Sequence, residues 1–244
     1  MNGIDSALSE FCVLIIQKKI MTHIKSHLLS LTVALFFLIS DFSASAQDWK
    51  TEKKINILFG LSQPLLAHGF NIEGNLIYHR FIFDYSHGVS LDFKDNAVPS
   101  ELRMQEVALH MPWTTGFGIG YRLKEWLNIR VEPKWHRFEF YYENEIQNQS
   151  SEITSYNTFT LGLGVYGSYQ PFKKKNNFLK GLMISPSIRY WPTVHSTLKD
   201  NNFTYANQHT NTNEEIKTYG PGFGLTPFIV NVSIGYSFQF KKKN

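Results

Sequence analysis

The chain has 244 residues, of which 43% are hydrophobic, 15% aromatic and 18% charged, with one cysteine and a formal net charge of +4. That length suits one domain with a full core, and the composition excludes a disordered chain and a coiled coil. The terminal Lys241-Lys242-Lys243 carries much of the positive balance, so the charge marks a tail and not a nucleic-acid surface.

Residues 1–46 read as a cleavable export signal. From Met21 the chain carries Lys25, an apolar stretch from Leu28 to Ile39, and Ala44-Ser45-Ala46, a small-x-small pattern for cleavage before Gln47. The start is read either as Met21 or as Met1 with an extended region ahead of the apolar stretch. The apolar stretch, interrupted by Ser30 and Thr32, is too short to span a bilayer as a helix. No cysteine stands at the cut, which excludes a lipoprotein, and Cys12 leaves with the leader, so the mature chain has no thiol or disulfide. The expected organisation is a signal peptide at 1–46, one domain over 47–240, and a basic tail at 241–244.

Beyond residue 46 the hydrophobic period is two, and no sustained helical period appears. Ile55, Ile57, Phe59 and Leu61 alternate with Asn56, Gly60 and Ser62, as do Thr115, Phe117, Ile119, Tyr121 and Leu123 with Gly116, Gly118, Gly120 and Arg122. Ile129, Val131, Pro133 and Trp135 oppose Asn128, Arg130, Glu132, Lys134 and His136, and the last strand sets Phe228, Val230, Val232, Ile234, Tyr236, Phe238 and Phe240 on one face. Eight strands follow, near 54–63, 71–78, 81–92, 107–123, 127–142, 153–171, 181–197 and 226–240, with a bulge expected at His136/Arg137. Tight links at Tyr78-His79-Arg80 and 122–126, with a slightly longer one at 172–180, alternate with long polar loops at 94–105, 143–152 and 198–224. A short loop is expected at 63–70. This is an up-and-down meander with both termini at the short-turn end.

Alternation alone allows a membrane barrel with apolar residues outward or a soluble barrel with them inward. Two rings of aromatic residues favour the bilayer: Tyr78, Tyr121, Tyr169, Tyr236, Phe238 and Phe240 towards the short turns, and Trp113, Trp135 and Tyr190 towards the long loops. The opposite faces carry Glu73, Asp84, Arg122, Arg130, Glu132, Lys134 and Arg189. A lipid-facing Lys or Arg at the midplane costs about 2–4 kcal/mol, so these seven are placed in the lumen as a structural network that plugs it. The expected fold is an all-β, eight-stranded antiparallel up-and-down transmembrane β-barrel, closed to diffusion.

By strand number, loop alternation and the final Ile234-Gly235-Tyr236-Ser237-Phe238-Gln239-Phe240, residues 50–240 resemble the small bacterial outer-membrane barrels of the OmpA/OmpX type. The resemblance implies an outer-membrane location among lipid and lipopolysaccharide, and a monomer whose last strand is read by the barrel assembly machinery through Phe238 and Phe240. It also implies a structural or surface-interaction role through the outer loops, with a surface ligand as partner. The tail 241–244 departs from that pattern, because the family's aromatic residue is usually terminal.

Candidate chemistry is sparse. His68, His79, His87, His110, His136, His195 and His209 form no close ligand pair, so neither metal nor cofactor is expected. Asp84-Tyr85-Ser86-His87 reads as strand, and Gly220-Pro221-Gly222-Phe223-Gly224 as a loop with no helix behind it to bind phosphate. Lipid A deacylases of similar size suggest a rim hydrolase built on His195, Ser196 and Glu214 or Glu215. Adjacent strand residues face opposite ways, which argues against that pairing and against enzymatic activity. A soluble periplasmic lipocalin-like binding barrel is the other alternative.

Overall fold

The computed structural model describes residues 49–93 and 97–240. The expected leader at 1–46, the start at Met21 and the tail at 241–244 lie outside the described residues.

Alternating apolar and polar side chains make strands β1 (Lys53–Gly60), β2 (Phe70–Tyr78), β3 (Phe81–Phe93), β4 (Val107–Arg122), β5 (Leu127–Tyr142), β6 (Glu152–Gly167) and β7 (Leu182–Tyr190). Beyond a break at Trp191-Pro192, β8 (Thr193–Ser196) continues the line of β7, then β9 (Asn202–Ala206), β10 (Asn213–Lys217) and β11 (Phe228–Gln239) complete the chain. Neighbours in sequence pair antiparallel from β1 to β7. The sheet closes where β11 pairs with β7 on one side and β1 on the other, Lys54 opposite Gln239 and Gly60 opposite Ser233. Eight strands therefore form an up-and-down barrel that leaves no exposed edge.

The short-turn end links β2 to β3 through His79 and Arg80, with His79 at φ +60°, a backbone twist that suits a tight hairpin. The long-loop end holds more regular structure than expected. A one-turn helix α1 (Ser62–Leu66) fills the first loop, α2 (Ser100–Met104) the second, and β9 and β10 form a separate hairpin inside the Asn/Thr-rich segment at 198–224. The seventh strand is not continuous over 181–197, because Pro192 cannot supply a ladder N–H and β8 resumes pairing with β6 only from Thr193.

On the membrane-level strands the large apolar side chains face outward and stand exposed: Ile57 48%, Phe83 47%, Ile119 62%, Leu163 63% and Ile188 64%. The alternate positions, Asn56, Asp84, Arg130, Glu132, Lys134 and Arg189, are buried at 5% or less. A water-soluble barrel would show the reverse. This exterior suits a hydrocarbon solvent.

Beyond the belt the pattern turns over. The long strands β3 to β6 rise past it, and their inward residues become apolar: Leu91, Phe93, Leu109, Met111, Phe138 and Phe140 form a buried cluster closed by Leu102 of α2 and by Tyr156, Ile216 and Leu225. This storey meets water outside, so ordinary patterning returns. The bulge expected at His136/Arg137 is not on β5, where every even-numbered residue from Asn128 to Phe140 stays inward. The extra residue lies opposite, on β4 between His110 and Thr114, around Pro112. Ser90, at φ +51°, makes a matching slip on β3.

Candidate functional site

The lumen is built from small residues on some strands and large charged residues on their neighbours. Glycines of β4 and β6 give the room. A Cβ at Gly118 would overlap the Asp84 carboxylate, and one at Gly162 would overlap the Trp191 indole. Arg130 lies at the centre: Nη1 donates to Glu73 Oε1 at 2.6 Å, Nη2 to Asn75 Oδ1 at 2.8 Å, and Nε to Asn128 Oδ1 at 2.9 Å. Asp84 Oδ1 stands 3.6 Å from Arg130 Nη1, and Glu73 Oε2 is 3.7 Å from Arg189 Nη2.

A second carboxylate, Glu132, accepts from the Tyr166 hydroxyl at 2.6 Å and from Trp191 Nε1 at 3.0 Å, with Lys134 Nζ 3.8 Å away. Lys134 also donates to Ser86 Oγ. The cations lie over rings, Arg130 3.8 Å from the Tyr166 centroid and Lys134 4.5 Å from that of Trp191. Carboxylates and cations thus interleave, each buried charge meeting opposite charge or a π-face, which is what a site shut off from water requires.

Arg122, expected in this network, belongs to a separate one at the short-turn mouth. Its Nη2 donates to Glu52 Oε2 at 2.9 Å, Lys54 Nζ lies 3.1 Å from the same oxygen, and Gln239 Nε2 donates to Glu52 Oε1 at 3.1 Å. Glu52 precedes β1. Burial pushes its carboxyl up, but the Lys54 ammonium and the Arg122 guanidinium outweigh that and hold it below the usual carboxylate range. Between the two networks a void of about 10 Å³ remains, close to a single water.

At the upper limit of the polar lumen, His136 is fully buried between Thr114 Oγ1 at 2.7 Å and Thr160 Oγ1 at 2.9 Å. Sequence reasoning did not single out Glu52, Lys54, Asn75, Tyr166, Trp191 or His136 as members. Lys54 and Tyr166 share the parity of Asn56 and Gly164, so that signal was present. Trp191 shares the parity of Ser187 and Arg189, so its signal was present as well.

The aromatic residues occupy two levels. Near the short turns Phe81 and Tyr121 meet edge-on at 5.7 Å and Tyr236 packs on Phe238 at 4.7 Å, with Tyr78 and Phe240 exposed. Towards the long loops Trp135 meets Phe159 at 5.1 Å and Tyr190 meets Phe228 at 4.9 Å. Trp113 is half-buried beside the β4 bulge, and Tyr169 bridges to Ile184 past the end of β6.

The hydrolase arrangement does not assemble. His195 is exposed and pairs in register with Phe159, whereas Ser196 Oγ accepts from Leu198 N and Thr218 Oγ1, each at 3.1 Å. Glu214 is engaged by Thr212 Oγ1 at 2.7 Å. No group of three metal-binding side chains occurs among the described residues. His209, at the β9–β10 turn, joins three loops: Nδ1 is 2.8 Å from Glu106 Oε2, Nε2 is 3.5 Å from Glu145 Oε1, and the ring stacks on Tyr142 at 4.3 Å. Tyr205 and Tyr219 of this storey are pushed up to about 12, chiefly by burial.

A closed antiparallel barrel with an apolar exterior and a sealed, charge-interleaved lumen defines the class of small transmembrane β-barrels. No family model and no curated protein sequence matches the chain. Solved structures similar to it include the attachment invasion locus protein Ail of Yersinia pestis in complex with the heparin analogue sucrose octasulfate, 11% identical, TM-score 0.38, covering 77% of this chain and 99% of that one. A major outer membrane protein of Thermus thermophilus is 10% identical, TM-score 0.41, covering 77% and 98%. The N-terminal β-barrel domain of Pseudomonas aeruginosa OprF is 11% identical, TM-score 0.37, covering 78% and 98%.

Proposed function

We propose that this chain is an integral outer-membrane barrel, exported by a leader that is removed before Gln47, whose work is to carry its long-loop storey rigidly on the cell surface as an interaction platform. The observation behind it is the inverted barrel: apolar side chains outward at membrane level, and Glu73, Asp84, Arg130, Glu132, Lys134 and Arg189 sealed inside. A filled lumen suits an anchor and not a pore. The two aromatic levels act as girdles in the two interfaces, and Phe238 and Phe240 present the assembly signal of the last strand. The barrel works as a monomer.

The storey's own charge favours a cationic ligand. Glu101, Glu106, Glu143, Glu145, Asp200 and Glu214 stand there against Arg103, Lys199 and Lys217, and Met104 and Ile146 beside them are 71% and 82% exposed. Fractionation of expressing cells, with gel migration before and after heating, tests the reading. An outer-membrane band whose mobility changes on heating is expected, together with no porin-like conductance after reconstitution. A soluble periplasmic protein, or an open channel, would overturn it.

A further inference from the structure

The short-turn end carries a charge opposite to that of the long loops. Lys53, Lys124, Lys174, Lys175 and Lys180 are exposed there, while among the described residues the carboxylates at that end are Glu52, turned into the lumen mouth, and Glu125, paired with Lys173. The longest of the short connections, 168–181, is not a free loop. Tyr236, an outward-facing residue of β11, donates its hydroxyl to Phe178 O at 2.7 Å, and Gly181 lies so close to the Tyr236 ring that a Cβ there would overlap it. Asn177 Oδ1 accepts from Leu179 N at 3.1 Å, and the Lys173–Glu125 ion pair ties the segment to the neighbouring turn.

The segment is thus folded against the lipid-facing side of the barrel, at the level of the lower aromatic ring. It presents Phe178, 73% exposed, and Phe172 beside Lys174, Lys175 and Lys180. Rings at that depth lie among glycerol and acyl groups, and lysine stems reach from there to the phosphates. Two further cations are oriented the same way: Lys53 Nζ lies 4.6 Å from the Tyr78 ring centroid, and Arg80 donates to the Tyr121 hydroxyl at 2.8 Å.

We propose that the 168–181 segment and the adjoining rim are a binding surface for anionic phospholipids of the leaflet at the short-turn end, with Lys174, Lys175 and Lys180 on the headgroup phosphates and Phe172 and Phe178 among the acyl chains. The proposal rests on the membrane-barrel reading. The apolar contacts select lipid over a soluble polyanion, and the excess of cations selects anionic over zwitterionic headgroups.

The full chain is to be inserted into phosphatidylcholine nanodiscs containing a minority of phosphatidylglycerol, and the lipids retained on the released protein counted by native mass spectrometry. The expected result is a phosphatidylglycerol share above that of the bulk, falling by up to about fivefold for each lysine lost in Lys174→Gln/Lys175→Gln/Lys180→Gln. The corresponding triple Arg variant should keep it, as should Lys199→Gln at the opposite end. A bulk lipid ratio on the wild-type barrel, or enrichment that survives the triple Gln change, would overturn the proposal while leaving the membrane-barrel reading intact. A chain that fails to insert in either lipid overturns both.

Discussion

Removing the Glu73 carboxylate tests whether the lumen is dry. Glu73 is 3% exposed, accepts from Arg130 at 2.6 Å and from Asn75 Nδ2 at 2.7 Å, and lies 3.7 Å from Arg189. In Glu73→Ala, Arg130 keeps Asp84 at 3.6 Å, and Arg189 keeps the field of Glu132, the aromatic faces and the Ser187 hydroxyl, 3.1 Å from its Nε. Breaking a buried pair by removing one partner costs about 3–5 kcal/mol. Guanidinium unfolding of the barrel in lipid vesicles, followed by gel mobility, should show a midpoint lowered by about 1 M for a slope of roughly 2–6 kcal/mol/M. Adding Arg130→Met should restore part of the loss, because the pair is then removed as a unit. A cost below about 1 kcal/mol, the range of an exposed ion pair, would show that water reaches the network and would refute the sealed lumen.

Three further outcomes are expected. Ile119→Arg, on the lipid face at 62% exposure, should cost about 2–4 kcal/mol in vesicles; a neutral result would place that face in water. Phe138→Ala, which removes a fully buried ring stacked 5.2 Å from Tyr156, should cost about 3–5 kcal/mol and open the long-loop storey to protease while the lower barrel keeps its heat-dependent migration. The carboxyl of Glu52 titrates lower when folded than when unfolded. Its contribution is therefore complete above the ordinary carboxylate value and is lost as pH falls through the folded one. Glu52→Gln should flatten the acid limb of a stability–pH curve, and an unchanged limb would remove Glu52 from the mouth network.

The membrane-level barrel was legible because period two is a local property. Where Ile129, Val131 and Pro133 alternate with Arg130, Glu132 and Lys134, a strand is dictated. The cost of a charge in hydrocarbon then decides which face is inside. Seven candidate lumen residues followed from parity alone, and all seven are buried. Their division into two networks was not legible, since Arg122 joins Glu52 and Lys54 through the closure of β1 on β11.

The long-loop storey shows the limit most clearly. At His136 the inward residues of β5 change from charged to aromatic without any change of parity on that strand, and a pattern read for one solvent takes that as a slip. Only the position of the strand relative to the membrane surface distinguishes a bulge from a change of surroundings, and that position is set by the whole barrel. The β9–β10 hairpin and α2 are short segments with weak local preference, held by packing over the Phe138–Phe140 cluster, and α1 is tied to β11 through Ser62, whose N–H donates to Asn231 Oδ1 at 3.2 Å. Local alternation and the expense of burying charge determined the strands, their faces and the polarity of the lumen from sequence alone. Which charges meet and how the 168–181 segment lies on Tyr236 depended on contacts between residues far apart in the chain, which only the closed structure brings together.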